Sequence, residues 1–136
     1  MENIKGLAHI GILTSDAEKS KDFYVNNLGF MFDYETILHK TDGSSKKLLF
    51  VKLNNVMLEF IESSDKTNPI CNSGVIDHIS FEVKNIDKIC EQLIQKGIVF
   101  KTPQPIKLPD VYNGAKIIFL EGPNGETLEL FEYILT

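Results

Sequence analysis

Apolar and polar positions along the chain fall into two successive runs of the same form. Residues Ile4 to Thr14 are apolar and β-branched at close intervals, which predicts a strand. Ser15, with Glu18 three residues on, has the spacing of a capping box and starts a helix. Phe23, Tyr24 and Leu28 give that helix a buried side, and Gly29 ends it. Three strand-like segments follow, Phe30 to His39, Lys46 to Leu53 and Val56 to Glu62, with turns at Thr41-Asp42-Gly43-Ser44 and Asn54-Asn55. Residues 63–74 are rich in Ser, Asp, Asn and Pro and read as a linker. The order then returns. Val75 to Val83 is a strand. Asn85 caps a helix through Lys96 whose apolar face carries Ile86, Ile89, Cys90, Leu93 and Ile94, and Gly97 ends it. Ile98 to Lys101 starts a strand, a Pro-bearing loop runs to Gly114, and Ala115 to Leu120 and Glu126 to Ile134 close the chain as strands.

The halves match in residues as well as in order. His9-Ile10 corresponds to His78-Ile79 at an offset of 69, Leu58-Glu59 to Leu128-Glu129 at 70, and the caps Ser15 and Asn85 are 70 apart. This spacing argues for an internal duplication of a βαβββ module. The 136 residues match one domain in size. Neither half is long enough to bury a core readily, so the organisation expected is one domain, 1–136, made of halves 1–62 and 75–136.

Composition narrows the function classes. The net charge of -5, with acids and lysines scattered, argues against nucleic acid or an anionic membrane as partner. No apolar run reaches the roughly 18 residues of a membrane span, and the first residues lack the apolar stretch of a signal peptide. Cys71 and Cys90 form neither a metal-type pair nor a disulfide framework, which fits a reduced, cytoplasmic setting. All 14 basic residues are lysines.

Four polar residues stand where apolar ones belong. His9, Glu59, His78 and Glu129 are each read as mid-strand, with apolar neighbours on both sides. Adjacent strand side chains point to opposite faces. If Leu58, Phe60, Leu128 and Leu130 pack under the helices, Glu59 and Glu129 point to the open face. A carboxylate on a partly enclosed face loses hydration, and a metal ion removes that penalty. A lone strand His or Glu is ordinarily a hydrogen-bonded or solvated residue. The recurrence of His…Glu at separations of 50 and 51 residues favours a ligand set for one divalent ion. His39 has no repeat counterpart and reads as a surface residue. Glu62, Glu82, Glu121, Glu126 and Glu132 read as solvated. Asp77 is a weak candidate for orienting His78. Nitrogen and carboxylate donors without thiolate suit Ni, Co, Mn, Fe(II) or expanded-coordination Zn.

The βαβββ duplication, His9-Ile10-Gly11-Ile12, Phe23-Tyr24…Leu28-Gly29-Phe30 and Gly122-Pro123-Asn124-Gly125…Leu128-Glu129-Leu130 resemble the vicinal-oxygen-chelate superfamily over nearly the whole chain. The ligand order His, Glu, His, Glu resembles bacterial, nickel-type glyoxalase I (lactoylglutathione lyase). That resemblance implies an α+β fold of two modules forming a curved, mostly antiparallel sheet around the metal. It implies His9, Glu59, His78 and Glu129 as ligands of Ni2+, or of Co2+ or Zn2+, Glu129 as the base, and a homodimer. The implied reaction converts the methylglyoxal–thiol hemithioacetal to a lactoyl thioester through an enediolate. Glutathione-using relatives usually hold its carboxylates with arginine, which this chain lacks, so another thiol or loosely bound glutathione is expected. Two alternatives stay open. One is methylmalonyl-CoA epimerase, whose members usually carry Gln where Glu59 stands. The other is a metal-free small-molecule binding or resistance protein.

Overall fold

In the computed structural model, which describes residues 3, 7–66, 76, 78–111 and 114–134, both predicted modules form. The first runs β1 (Ile10–Thr14), α1 (Ala17–Leu28), β2 (Met31–His39), β3 (Ser45–Leu53) and β4 (Val56–Ser63). The second runs β5 (Ile79–Glu82), α2 (Ile86–Gln95), β6 (Ile106–Leu108), β7 (Ala115–Glu121) and β8 (Thr127–Tyr133). Strand order is β1-β4-β3-β2 in one sheet and β5-β8-β7-β6 in the other, the same topology twice. In each sheet the first and last strands pair in parallel, β1 with β4 and β5 with β8, and the remaining pairs are antiparallel. The chain divides into units Met1–Cys71 and Asn72–Thr136, which match the two modules.

Alternation along β4 and β8 builds each core. Leu58 and Phe60 are fully buried, as are Leu49 and Val51 on the neighbouring strand, and Tyr24 from α1 meets Phe60 and Phe30 at ring distances of 5.2 and 5.3 Å. In the second module Leu128, Leu130, Ile118 and Leu120 are buried, and so are Ile86, Cys90 and Leu93 of α2. Ile94, expected on the same helix face, is 56% exposed.

Both helices are held at their N-termini by a carboxylate from the last strand of the module. Glu62 accepts a hydrogen bond from the Ala17 N–H at 2.7 Å and another from Lys66 at 3.0 Å. Glu132, 70 residues later, accepts from the N–H groups of Asn85 at 2.6 Å and Ile86 at 3.1 Å. Free N–H groups and the helix dipole make this end attractive to anions. The reading of Glu62 and Glu132 as solvated is therefore corrected. Both share the strand face of the buried leucines, which is the helix side.

The first cap is also corrected. Asp16, not Ser15, caps α1 by accepting from the Lys19 N–H at 3.0 Å, and the Thr14 hydroxyl accepts from the Asp16 N–H. A buried bond of 2.8 Å between the Thr14 and Ser20 hydroxyls fixes this register, and Glu18 pairs with Lys21 and Lys47 instead of closing a capping box. Gly29 ends the helix at φ 77°, in the left-handed region that glycine enters without a Cβ clash. Asn85 caps α2 as expected.

The strand bounds differ in three places. β1 begins at Ile10, with Leu7 to His9 irregular and residues 4–6 outside those described; β5 likewise begins at Ile79, with 75 and 77 outside. Phe100 makes only a single bridge, to Leu120, where a strand was expected over Ile98 to Lys101. The second antiparallel pairing of this sheet, on the outer edge of β7, falls instead to Ile106–Leu108, inside the expected loop. Pro103 and Pro105 separate the two, since neither can donate a ladder bond. Most of the expected linker, 67–74, lies outside the described residues, and so does Asp77. No helix among the described residues is long and apolar enough to cross a membrane.

Candidate functional site

The parallel pairing of first and last strands brings the sequence-predicted residues together within each module. β1 enters its ladder at Ile10 opposite Leu58, and Gly11 lies opposite Glu59. The residue just before the strand, His9, reaches Glu59 with Nε2 at 3.3 Å from Oε1. β5 repeats this. Ile79 lies opposite Leu128 and Ser80 opposite Glu129, and His78 Nε2 stands 3.5 Å from Glu129 Oε1. Both histidines precede their strands and do not lie mid-strand as expected. Their backbones stay outside the ladder, so the imidazoles reach the carboxylates from the strand entry.

Both glutamates project away from their buried leucine neighbours, as strand alternation requires. They are not solvated for that. The Glu59 side chain is 14% exposed and that of Glu129 10%, against 40% and 35% for the two histidines. Each module thus sets a nearly covered carboxylate behind an accessible imidazole.

A phenylalanine completes each pair. Phe50 on β3 lies opposite Glu59, and Phe119 on β7 lies opposite Glu129. Each meets its histidine edge to face, Phe50–His9 at 5.6 Å and 82°, Phe119–His78 at 5.9 Å and 88°. The ring walls one side of the carboxylate and restricts the imidazole. Sequence reasoning missed both residues, although their separation of 69 is that of the histidines.

The spacing of the donors tests whether a metal fits. A charge-assisted N–H···O bond would draw the atoms to about 2.7–2.9 Å. Two donors bound about 2.1 Å from one ion, at angles between octahedral and tetrahedral, lie roughly 3.0–3.4 Å apart. The observed 3.3 and 3.5 Å match the second spacing better, and imidazole nitrogen with carboxylate oxygen is a suitable donor set for a borderline divalent ion. Among the described residues no three His, Cys, Asp or Glu side chains gather closely enough to hold a metal, so the structure presents the four residues as two pairs. His39 ends β2, exposed and away from these pairs in register.

Comparison with known proteins decides the family. The model of the Glyoxalase/Bleomycin resistance protein/Dioxygenase superfamily matches residues 6–130. The chain belongs to that superfamily. It is 33% identical over 133 residues to "Uncharacterized protein YwkD" of Bacillus subtilis, covering 95% of this chain and 98% of that one. Among solved structures, a glyoxalase family protein from Enterococcus faecalis is 28% identical, with a TM-score of 0.70 over 94% of this chain and 98% of the other. The fosfomycin resistance protein FosX from Listeria monocytogenes, solved with Mn(II) and sulfate, shares the fold at 19% identity, with a TM-score of 0.69 over 97% and 95% of the two chains. Superfamily membership accords with the duplicated βαβββ module and its mixed sheets.

Proposed function

We propose that this superfamily member is a divalent-metal isomerase of the glyoxalase I type. In this reading His9, Glu59, His78 and Glu129 bind one ion, Ni2+ before Co2+ or Zn2+, and the two modules act as one domain in a homodimer. The observation that carries it is the twice-built pair, imidazole 3.3–3.5 Å from a covered carboxylate with a phenyl edge beside it. The FosX neighbour, solved with Mn(II), supports a metal in this fold.

When bound, the ion supplies Lewis acidity to two adjacent oxygens of a small substrate. The chain's own residues supply the rest. Glu129 takes the proton from C1 of the methylglyoxal–thiol hemithioacetal and returns it to C2, so the reaction is an isomerisation with no net proton change. Leu128 and Leu130, locked in the core, fix the rotation of the strand that presents Glu129. Phe119 excludes water from the carboxylate's flank. With no arginine, the thiol's carboxylates meet only lysine, a point charge without a bidentate fork.

The test is metal analysis together with turnover of methylglyoxal plus several thiols, run beside methylmalonyl-CoA after loading with Ni2+, Co2+ or Zn2+. One ion per chain and a lactoyl thioester product are expected. Two ions per chain would separate the pairs. Epimerisation of methylmalonyl-CoA without thioester formation would replace the isomerase with the epimerase. Full activity in metal-free protein would end the metal reading.

A further inference from the structure

The first module contains a cavity of about 480 Å³ at the end of its sheet where β1 leaves and β3 begins. Its apolar floor is Leu13 and Ile61, and its rim carries Lys40, Lys46 and Lys66 with serine hydroxyls and Asp42 and Asp65. Lys46 lies opposite Ser63 in the β3–β4 ladder, on the face that carries Phe50 and Glu59. Ile61 lies between. Its Cδ1 and Glu59 Oε1 would be 3.4 and 3.6 Å from a Cβ added at Gly11, so Ile61 borders the cavity on one side and approaches the Glu59 carboxylate on the other. Ser63 is four residues beyond Glu59, about 13 Å along an extended strand.

The charges in this cavity are unequally engaged. Lys66 donates to Glu62 and to the Ser15 carbonyl. Asp42 accepts from the N–H and hydroxyl of Ser44 at 2.9 and 2.6 Å, and these bonds, with the charge of Lys40, hold its carboxyl below the usual range. Lys46 is half-buried and makes no ion pair among the described residues. A half-buried ammonium that faces a cavity and pairs with neither of its carboxylates, Asp42 and Asp65, favours an added anion there.

We propose that this cavity is an anion subsite, with Lys46 as its anchor and Lys40 as a second charge. It takes the terminal carboxylate or phosphate of an elongated organic molecule whose other end lies beside His9 and Glu59. The apolar floor suits the hydrocarbon or thioether middle of such a molecule. The proposal rests on the preceding reading only for which end reacts.

Direct binding tests it without metal or turnover. Amide NMR spectra of the full chain are followed during titration with glutarate, inorganic phosphate and the uncharged glutaramide. Saturable shifts at Ser44–Lys46 and Ser63–Lys66 are expected with an anion and not with glutaramide, and preference between glutarate and phosphate identifies the anion's source. Lys46→Gln should weaken binding about fivefold, the scale of a partly exposed charged pair, with the rest of its spectrum unchanged. Lys46→Met provides a second neutral variant of similar length should glutamine perturb the strand. Absence of saturable shifts with both anions, equal response to glutaramide, or unchanged affinity in both variants would overturn the subsite. Anion binding here without turnover of any methylglyoxal–thiol adduct would leave the subsite standing and remove the isomerase.

Discussion

Replacing Glu62 or Glu132 by glutamine isolates what the strand-borne carboxylates do for the two helices. At Glu62, one oxygen accepts from the Ala17 N–H and the other from Lys66. Glutamine keeps one acceptor oxygen, so Glu62→Gln exchanges a charged hydrogen bond of about 1.5–3 kcal/mol for a neutral one of about 0.5–1.5 kcal/mol. It also removes a helix-dipole contribution of about 0.3–1 kcal/mol. The Lys66 pair, itself half exposed, adds little. The expected loss is about 1–2 kcal/mol. Glu132 binds two backbone donors, and an amide presents its NH₂ to one of them. Glu132→Gln should therefore cost more, about 2–3 kcal/mol, because one N–H loses its acceptor. Urea denaturation at pH 7 measures both, with m-values compared to confirm that the unfolded state is unchanged. The pH dependence gives a second check at Glu62. Burial pushes its carboxyl up, but the Ala17 N–H and the hydrogen bond and charge of Lys66 outweigh that, and the net shift is downward. A carboxyl lowered by folding contributes fully above its unfolded value, about 4.3, and loses that contribution as pH falls through the folded value. The gap between wild type and Glu62→Gln should therefore shrink below about pH 4. Equal urea midpoints at pH 7, or a gap that persists undiminished in acid, would refute the assignment.

Three further outcomes follow from named contacts. Glu129→Gln should retain metal and lose turnover by about 10²–10⁴-fold, whereas Glu59→Gln at equal metal occupancy should keep more activity; the reverse ranking in kcat would transfer the base to Glu59. Burial, with the Asp87 charge, pushes the Cys90 thiol up, so in a Cys71→Ser background it should react with a disulfide reagent far more slowly in buffer than in urea, and equal rates would contradict its burial. A Cβ at Gly122 would run into the Glu126 carboxyl group, which accepts from the Asn124 N–H at 2.7 Å, so Gly122→Ala should destabilise by about 1–3 kcal/mol in urea titrations.

The duplication made much of this molecule legible before its structure. Glu59 and Glu129 could be placed on the face opposite their buried leucines because a strand has period two and the apolar neighbours define the inner side. The same parity argument, carried three residues further, puts Glu62 and Glu132 on the helix side. Their glutamate identity, repeated at 70, was the available signal. Ser15 and Asp16 are both competent caps, and local spacing does not separate them. The contacts that choose Asp16, Thr14 to Ser20 and Ala17 to Glu62, join residues whose proximity only the folded sheet provides. β6 was illegible for a different reason. Three residues flanked by prolines carry too little alternation, and their pairing is set by β7. Phe50 and Phe119 look like ordinary core residues until the register shows each beside a glutamate.

The two glutamates of each last strand stand three residues apart, so one strand serves two faces. Glu62 and Glu132 secure a helix, while Glu59 and Glu129 are held under partial cover beside an imidazole. The second position is costly in a metal-free protein, because Glu129 is only 8% exposed and has a histidine 3.5 Å away in place of a close charged donor. A residue kept there for stability would lose folding free energy when neutralised. A residue kept for binding would behave in the opposite way, since the site is maintained against the preference of the fold. In metal-free protein at pH 7, Glu129→Gln should therefore raise stability by about 1 kcal/mol, and added divalent ion should raise the urea midpoint of the wild type more than that of the variant. If Glu129→Gln instead destabilises the metal-free protein as Glu132→Gln does, the carboxylate belongs to the scaffold. The proposed ligand set would then lose the residue on which its chemistry depends.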